Sequence, residues 1–179
     1  MGIEIERKFL LANDHWRAAI TRSAHIAQGY LVGVRALRDG TTRASVRVRI
    51  SDEQAWLNIK SAELGIARAE YEFPLPLVDA RSMLDTLCDG VLEKTRHHVD
   101  VDGWLFEIDE FLGENSGLTV AEIELPAVDA SFPRPAWLGR EVSNLERYYN
   151  VNLLEHPFTQ WSVVERDASD AGLIQGAHL

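Results

Sequence analysis

Residues 4–9, Glu4-Ile5-Glu6-Arg7-Lys8-Phe9, decide how this chain is read. In an extended strand, residues two apart share a face. Glu4, Glu6 and Lys8 then share one face, with Ile3, Ile5 and Phe9 opposite. The same period of two recurs further along. Arg43, Arg47 and Arg49 lie together, against Val46, Val48 and Ile50. Trp56, Asn58 and Lys60 oppose Leu57 and Ile59. Glu70 and Glu72 oppose Tyr71 and Phe73. Lys94, Arg96 and His98 fall on one face. Glu107 and Asp109 oppose Phe106 and Ile108, and Glu122 and Glu124 oppose Ala121, Ile123 and Leu125.

This alternation predicts strands near 2–11, 28–37, 42–50, 54–61, 67–75, 91–100, 103–111 and 119–125. Helices are predicted over 14–22, with Asn13 as N-cap, and over 79–88, ending before Gly90. Short helices are expected near 144–150 and 158–166. Asp39-Gly40, Asp102-Gly103 and the stretch from Pro126 to Pro135 mark turns. Strands 10–15 residues apart suit hairpins, so the class is mainly β with an antiparallel sheet or barrel. No internal repeat is visible, and no linker is long enough to split the chain.

An antiparallel sheet with one wet face alternates charge by itself. Here most charged faces carry a single sign along each strand. Like charges roughly 7 Å apart repel, whereas an ordinary surface mixes signs. Sorting acids and bases by strand makes sense if the faces line a common space. A closed sheet of about eight strands encloses such a lumen. It cannot be dry, because burying each ion costs several kcal/mol even after relaxation. Basic strands suit an anion. Carboxylates suit hard cations such as Mg²⁺ or Mn²⁺, which bridge phosphate oxygens. Acids and arginines converging on one cavity point to metal-assisted phosphoryl chemistry.

Composition narrows the class further. The chain has 179 residues, 46% of them hydrophobic, and a net charge of −10. That length suits one domain. The acidity argues against non-specific nucleic-acid or anionic-membrane binding. The single cysteine excludes an internal disulfide and a cysteine-based zinc site. No apolar run approaches a membrane span, and the charged N-terminus is unlike a signal peptide, so a cytoplasmic protein is expected. A homodimer is compatible with the chain, although no heptad or apolar patch marks an interface. Only three of the 18 basic residues are lysines, Lys8, Lys60 and Lys94, and each sits in a strand-like segment among other charges.

Glu4-x-Glu6-x-Lys8 resembles the ExExK signature of the CYTH superfamily, the triphosphate tunnel metalloenzymes. The ordered series that follows strengthens the likeness: Gln28-Gly29-Tyr30-Leu31, Val46-Arg47-Val48-Arg49, Asn58-Ile59-Lys60 and Glu70-Tyr71-Glu72. It continues with Lys94-Thr95-Arg96, Glu107-Ile108-Asp109-Glu110-Phe111 and Ala121-Glu122-Ile123-Glu124. The resemblance spans roughly residues 2–155. It implies an eight-stranded antiparallel β-barrel tunnel with helices packed outside, formed by residues 1–157. Residues 158–179 would form a C-terminal helix or tail, with a tunnel mouth as its packing place. The resemblance also implies hydrolysis of triphosphates with Mg²⁺ or Mn²⁺. Glu4, Glu6 and Glu124 would hold the first metal, with Glu122 nearby. Lys8, Arg47, Arg49, Lys60, Lys94 and Arg96 would cradle phosphate. Glu70, Glu72 and Asp109 would either hold the cradle in place or help a second metal, so Asp109 joins the candidate metal set. Glu6, Lys8, Lys94 and Tyr30 are the candidates for the catalytic step.

Several residues keep two readings. Tyr30 either tunes a cradle lysine such as Lys94 or is structural. Trp56 either stacks on a ring of the substrate or is a rim aromatic. His98 is read as a tunnel-mouth or surface group rather than a proton relay. His97 should point the other way, and Cys88 is expected in the core on a helix. The leading activity is conversion of tripolyphosphate to pyrophosphate and phosphate. The alternatives are a class IV adenylyl cyclase, a thiamine triphosphatase and a non-catalytic polyphosphate-binding module.

Overall fold

The computed structural model describes residues 2–32, 36, 39–61 and 67–167. Among these residues nine strands form one antiparallel sheet. In chain order they are β1 (Gly2–Leu11), β2 (Ile20–Tyr30), β3 (Ala44–Ser51), β4 (Gln54–Ser61) and β5 (Ala67–Leu75). Then come β6 (Leu92–Val101), β7 (Trp104–Phe111), β8 (Thr119–Glu124) and β9 (Leu138–Glu141). Helix α1 (Leu77–Thr86) follows β5, and α2 (Asn150–Glu155) and α3 (Val163–Arg166) follow β9. The strand order is β5-β4-β3-β2-β6-β7-β8-β1-β9.

β1 brings the sheet back to its start. Its residues pair with β8 from Glu6↔Glu124 to Leu10↔Val120. Its first residues pair with β5 from Gly2↔Glu70 to Ile5↔Ala67. The Ile5 carbonyl accepts from Leu125 N–H, so β8 and β5 occupy opposite edges of β1. Pairing therefore runs around eight strands. The ninth, β9, continues along the β5 edge at Phe9↔Glu141 and Leu11↔Leu138.

The packing is inverted relative to an ordinary small barrel. The outward faces carry much of the apolar core. Ile5, Phe9, Trp16, Val99, Phe106, Ile108 and Ile123 form one cluster, closed by Trp137 and the partly buried Phe132. Val48 and Ala55 form another beneath Ala80 and Leu84 of α1. Those two helical residues are four apart, one turn on the same stripe, so a short amphipathic helix covers β3 and β4. At one end the inner face itself turns apolar. There Leu92, Phe111 and Val120 pack with Leu153 of α2 and with Tyr148 and Trp161. No described helix is long and apolar enough to cross a membrane.

Seven of the eight expected strands lie within one or two residues of their predicted bounds. The exception is β2. The sequence predicts a helix over 14–22 and a strand over 28–37, but a 3₁₀ turn spans His15–Ala19 and the strand runs from Ile20 to Tyr30. Residues 33–35 and 37–38 of the expected strand lie outside the described residues. Ile20–Tyr30 carries few large apolar residues. Its state is decided by partners on both edges, β3 from Ile26↔Ser51 and β6 from Ile20↔Val99. Tertiary pairing commonly overrides such weak local preference.

β9 was not expected. It is four residues long, and Gly139 lets it approach β1, since a Cβ there would meet the Leu10 carbonyl oxygen at 2.7 Å. The helical reading of 144–150 and 158–166 resolves into 3₁₀ turns at Glu146–Tyr148 and Phe158–Gln160 alongside α2 and α3. Ser162 caps α3 in a reciprocal box with Glu165. Cys88 lies just past α1 and is half-buried.

Gly29 is the tightest point of this side. A Cβ there would stand 2.8 Å from both Cβ and Sγ of Cys88, and 3.0 Å from the Gly90 carbonyl oxygen. Overpacking of this kind costs about 1–3 kcal/mol. Gly29→Ala is therefore expected to lower the melting temperature. An unchanged melt would show that the segment between α1 and β6 gives way freely.

Candidate active site

The inner faces of the strands enclose a cavity of about 820 Å³, lined by eight glutamates and six basic side chains. The ring order arranges them in two walls. β5, β1, β8 and β7 are consecutive and contribute Glu70 and Glu72, Glu4 and Glu6, Glu122 and Glu124, and Glu107. Opposite them, β3 contributes Arg47 and Arg49, and β6 contributes Lys94 and Arg96. Between these two basic strands runs β2, which offers Ile26, Gln28 and Tyr30. Strand pairing thus converts single-signed strands into an acidic wall facing a basic one.

The walls are stitched by ion pairs. Lys8 reaches both Glu6 and its cross-strand partner Glu122. Lys60 donates to Glu4 at 2.6 Å and lies 3.5 Å from Glu70. Arg49 donates to Glu72 at 2.8 Å. Asn58 donates to Glu72 at 2.6 Å and to Glu70 at 3.1 Å. Arg96 takes Asp109 through Nε at 2.7 Å and through a terminal nitrogen at 2.6 Å, and also reaches Glu107 and Glu122.

Burial and charge set the protonation of these groups. Burial pushes the Glu4 carboxyl up, and the neighbouring Glu6 adds to it. Burial would also raise Glu122, but Lys8, Arg96 and Lys94 together hold it well below the usual carboxylate range. Glu6 is lowered because Lys8 and Lys60 outweigh burial and the Glu122 charge. Lys8 goes up, the two carboxylates overcoming its own desolvation. Lys94 goes down through burial and the adjacent Arg96.

Two lining groups stand apart. Arg47 is 9% exposed, its Nε is buried without a hydrogen-bond partner, and no carboxylate pairs with it among the described residues. Across the lumen Glu124, exposed to the cavity, likewise makes no ion pair or hydrogen bond among the described residues.

Every metal, phosphate-cradle and catalytic candidate read from the sequence lines this cavity except Asp109. Asp109 is fully buried, and Lys94 and Arg96 cover its two oxygens from the lumen side. The metal-ligand reading of Asp109 therefore finds no open oxygen here. The geometry is that of a group that holds two cradle cations in place. His98 is partly buried and 3.5 Å from Glu107. His97 faces outward, between Ser23 and Glu110 and against the ring of Trp16. Trp56 packs under the Arg49 guanidinium, 5.2 Å from ring centroid to carbon, and does not line the cavity.

Sequence reading gave no role to four groups of residues that the fold brings to the site. Asn58 ties two acids of β5. Gln28 sits in the basic wall. Ser45 and Ser61 lie at the end of the lumen where Tyr30 ends β2. Glu146 and the turn into α2, Tyr149 to Asn152, line the same cavity. The expected packing of 158–179 at a tunnel mouth takes another form among the described residues. Trp161 is buried against Tyr148 and buttresses the α2 region, while residues 158–167 do not line the lumen. Residues 168–179 lie outside the described residues. For Gln28 the available signals were a polar Gln among small residues and its place in the Gln28-Gly29-Tyr30-Leu31 stretch. The α2 residues show no periodicity that would place them at the site.

The donor set suits a hard cation, since carboxylates outnumber basic groups on the lining and every anionic donor is oxygen. Among the described residues no three acidic groups converge on one point as they stand. Lys8 separates Glu6 from Glu122, and Lys60 separates Glu4 from Glu70.

Comparison with known proteins agrees with this geometry. The CYTH domain family matches residues 2–155. An inorganic triphosphatase of Acetivibrio thermocellus is 40% identical over 159 residues, covering 88% of this chain and 97% of that protein. An inorganic triphosphatase of Nitrosomonas europaea is 33% identical, covering 84% and 95%. The crystal structure of the inorganic triphosphatase NE1496 superposes with a TM-score of 0.61 at 31% identity, over 86% of this chain and 95% of that one. A two-walled charged tunnel and a match over nearly all the described residues together show that the chain belongs to the CYTH domain family.

Proposed function

We propose that this chain hydrolyses inorganic triphosphate to pyrophosphate and phosphate. The observation that carries the reading is Arg47, a buried residue in the basic wall whose Nε is unbonded and which has no carboxylate partner among the described residues. A buried charge left unpaired is costly, and a polyanion entering the lumen supplies the missing partner. Arg49, Lys94 and Arg96 flank the same space and neutralise further phosphoryl oxygens. The two named triphosphatases at 40% and 33% identity support the same substrate class.

Glu4, Glu6 and Glu124 are the groups that would hold a divalent cation, Mg²⁺ or Mn²⁺, with Glu122 beside them. When bound, such an ion would supply Lewis-acid stabilisation of phosphoryl charge and a more acidic water. The chain itself binds and orients. The arginines and lysines hold the triphosphate along the basic wall. Asp109 keeps Lys94 and Arg96 aimed at it. Lys8 and Lys60, now shared between pairs of acids, have somewhere to turn once an anion arrives. Water attacks a terminal phosphorus, its P–O bond to the bridging oxygen breaks, and pyrophosphate leaves. Catalysis of this kind is positioning and charge stabilisation.

The test is product analysis with purified protein and Mg²⁺ or Mn²⁺, run in parallel on tripolyphosphate, ATP and thiamine triphosphate. Rapid phosphate release from tripolyphosphate, with little from the other two, is the expected result. Cyclic AMP from ATP would move the reading to a cyclase. Tight tripolyphosphate binding without turnover in either metal would make the domain a binding module.

A further inference from the structure

Among the described residues, Gln28 lines the cavity fully buried, 0% exposed, with neither its Nε2 nor its Oε1 hydrogen-bonded. Buried side-chain amides are nearly always bonded, and leaving a buried donor or acceptor unmade costs about 1–3 kcal/mol. Its place explains why no protein group answers it. In the β2–β3 pairing it stands opposite Arg49, and in the β2–β6 pairing opposite Leu92. On its own strand, Tyr30 lies opposite Arg47 and Ile26 opposite Lys94. Gln28 is therefore centred in the basic wall, at the edge of the apolar floor made by Leu92, Phe111 and Val120. Around it are cations that only donate, and hydrocarbon.

Three cations around a neutral amide make a site rich in donors, and Glu72 and Asp109 take up only part of them. An anion with several oxygens accepts from the amide NH₂ and from the cations that remain. Resting on the hydrolase reading above, we propose that Gln28 is a substrate-binding residue that donates its side-chain NH₂ to a phosphoryl oxygen lodged between Arg47, Arg49 and Lys94. A neutral donor at the centre of the wall adds directional binding without adding charge. A lysine or arginine there would add to the burial and mutual repulsion that already lower Arg49 beside Arg47 and Lys94 beside Arg96. The amide is held for the substrate at the expense of the free protein.

That trade has a measurable sign. Gln28→Leu removes two unsatisfied polar atoms and keeps a buried side chain of similar volume. Without substrate, the variant is expected to melt at or above the wild-type temperature. With substrate, it is expected to lose at least tenfold in kcat/KM for tripolyphosphate, and its tripolyphosphate-induced rise in melting temperature, measured without metal, is expected to shrink. A merely structural Gln28 would give the opposite signs, a lower melt and an unchanged ligand-induced shift per folded molecule. Wild-type kinetics and ligand shift in the variant would overturn the proposal. Should Gln28→Leu fail to fold, the same measurements are made on Gln28→Met, whose flexible chain fills gaps. Failure of both to fold would make the residue structural and overturn the proposal as well. The wild-type arm separates the two readings. If the wild type neither binds nor turns over tripolyphosphate, the hydrolase reading falls. If it does both and the variant matches it, only the role of Gln28 falls.

Discussion

Arg47→Met is expected to lower kcat/KM for tripolyphosphate by about 10²–10³-fold, the cost of losing one preorganised donor to developing charge. It is also expected to leave the melting temperature unchanged or raised. Both effects follow from one fact. Arg47 is buried, yet no carboxylate pairs with it among the described residues. Its removal strips the basic wall of a charge that faces substrate, and relieves the free protein of a desolvated cation. Replacing buried charge with apolar volume is often neutral or stabilising when no partner is left behind. Steady-state kinetics and a thermal melt on the same preparation check the pair of outcomes. Normal turnover would remove Arg47 from the substrate site. A melt lower by several degrees would show that it has a structural partner.

Asp109→Ala should behave in the opposite way. Lys94 and Arg96 both donate to this fully buried carboxylate, and Lys94 itself is only 1% exposed. Removing Asp109 leaves buried cations uncompensated, which costs about 3–5 kcal/mol. For a chain of this size that lowers the melting temperature by on the order of 10 °C. Activity should fall with it, because Lys94 and Arg96 lose the group that aims them. The double variant Lys94→Met/Asp109→Leu is expected to recover much of the stability and none of the activity. Arg96 then retains Glu107 and Glu122, so deleting the pair leaves no orphan charge. Coupling between the two sites is the decisive quantity. Additive losses in the double variant would show that Lys94 and Asp109 do not act as a unit.

Together these two residues separate the charges of the lumen into those held by the protein and those held for a ligand. Asp109, Lys94, Arg96 and Glu122 form a satisfied network that holds the barrel's interior open although it is ionic. Arg47, Gln28 and Glu124 lack protein partners among the described residues, and they are the groups that the proposed ligand and cation would meet. The apolar clusters that stabilise the barrel lie mostly outside it, beneath α1 and around Trp16 and Trp137. Chemistry and stability are thus carried on opposite faces of the same strands.

The amino-acid order by itself determined the alternation, and through it seven of the nine strands and the inward face of each. In a strand the side-chain period is two whatever the partner, so Glu4, Glu6 and Lys8 could be placed together before any pairing was known. It likewise determined that charge is sorted by strand, and hence that the faces line something ionic. What only the tertiary structure decided is which strands are neighbours. Period two carries no information about sheet order. The acidic wall exists because β5, β1, β8 and β7 are consecutive around the ring, and the basic one because β3 and β6 flank β2. β2 itself was misread, since its state depends on ladders along both edges rather than on local preference. Gln28 was legible as a residue but not as a site. Its meaning comes from Arg49 on one side, Leu92 on the other, and the absence of any partner, and these are properties of packing in three dimensions.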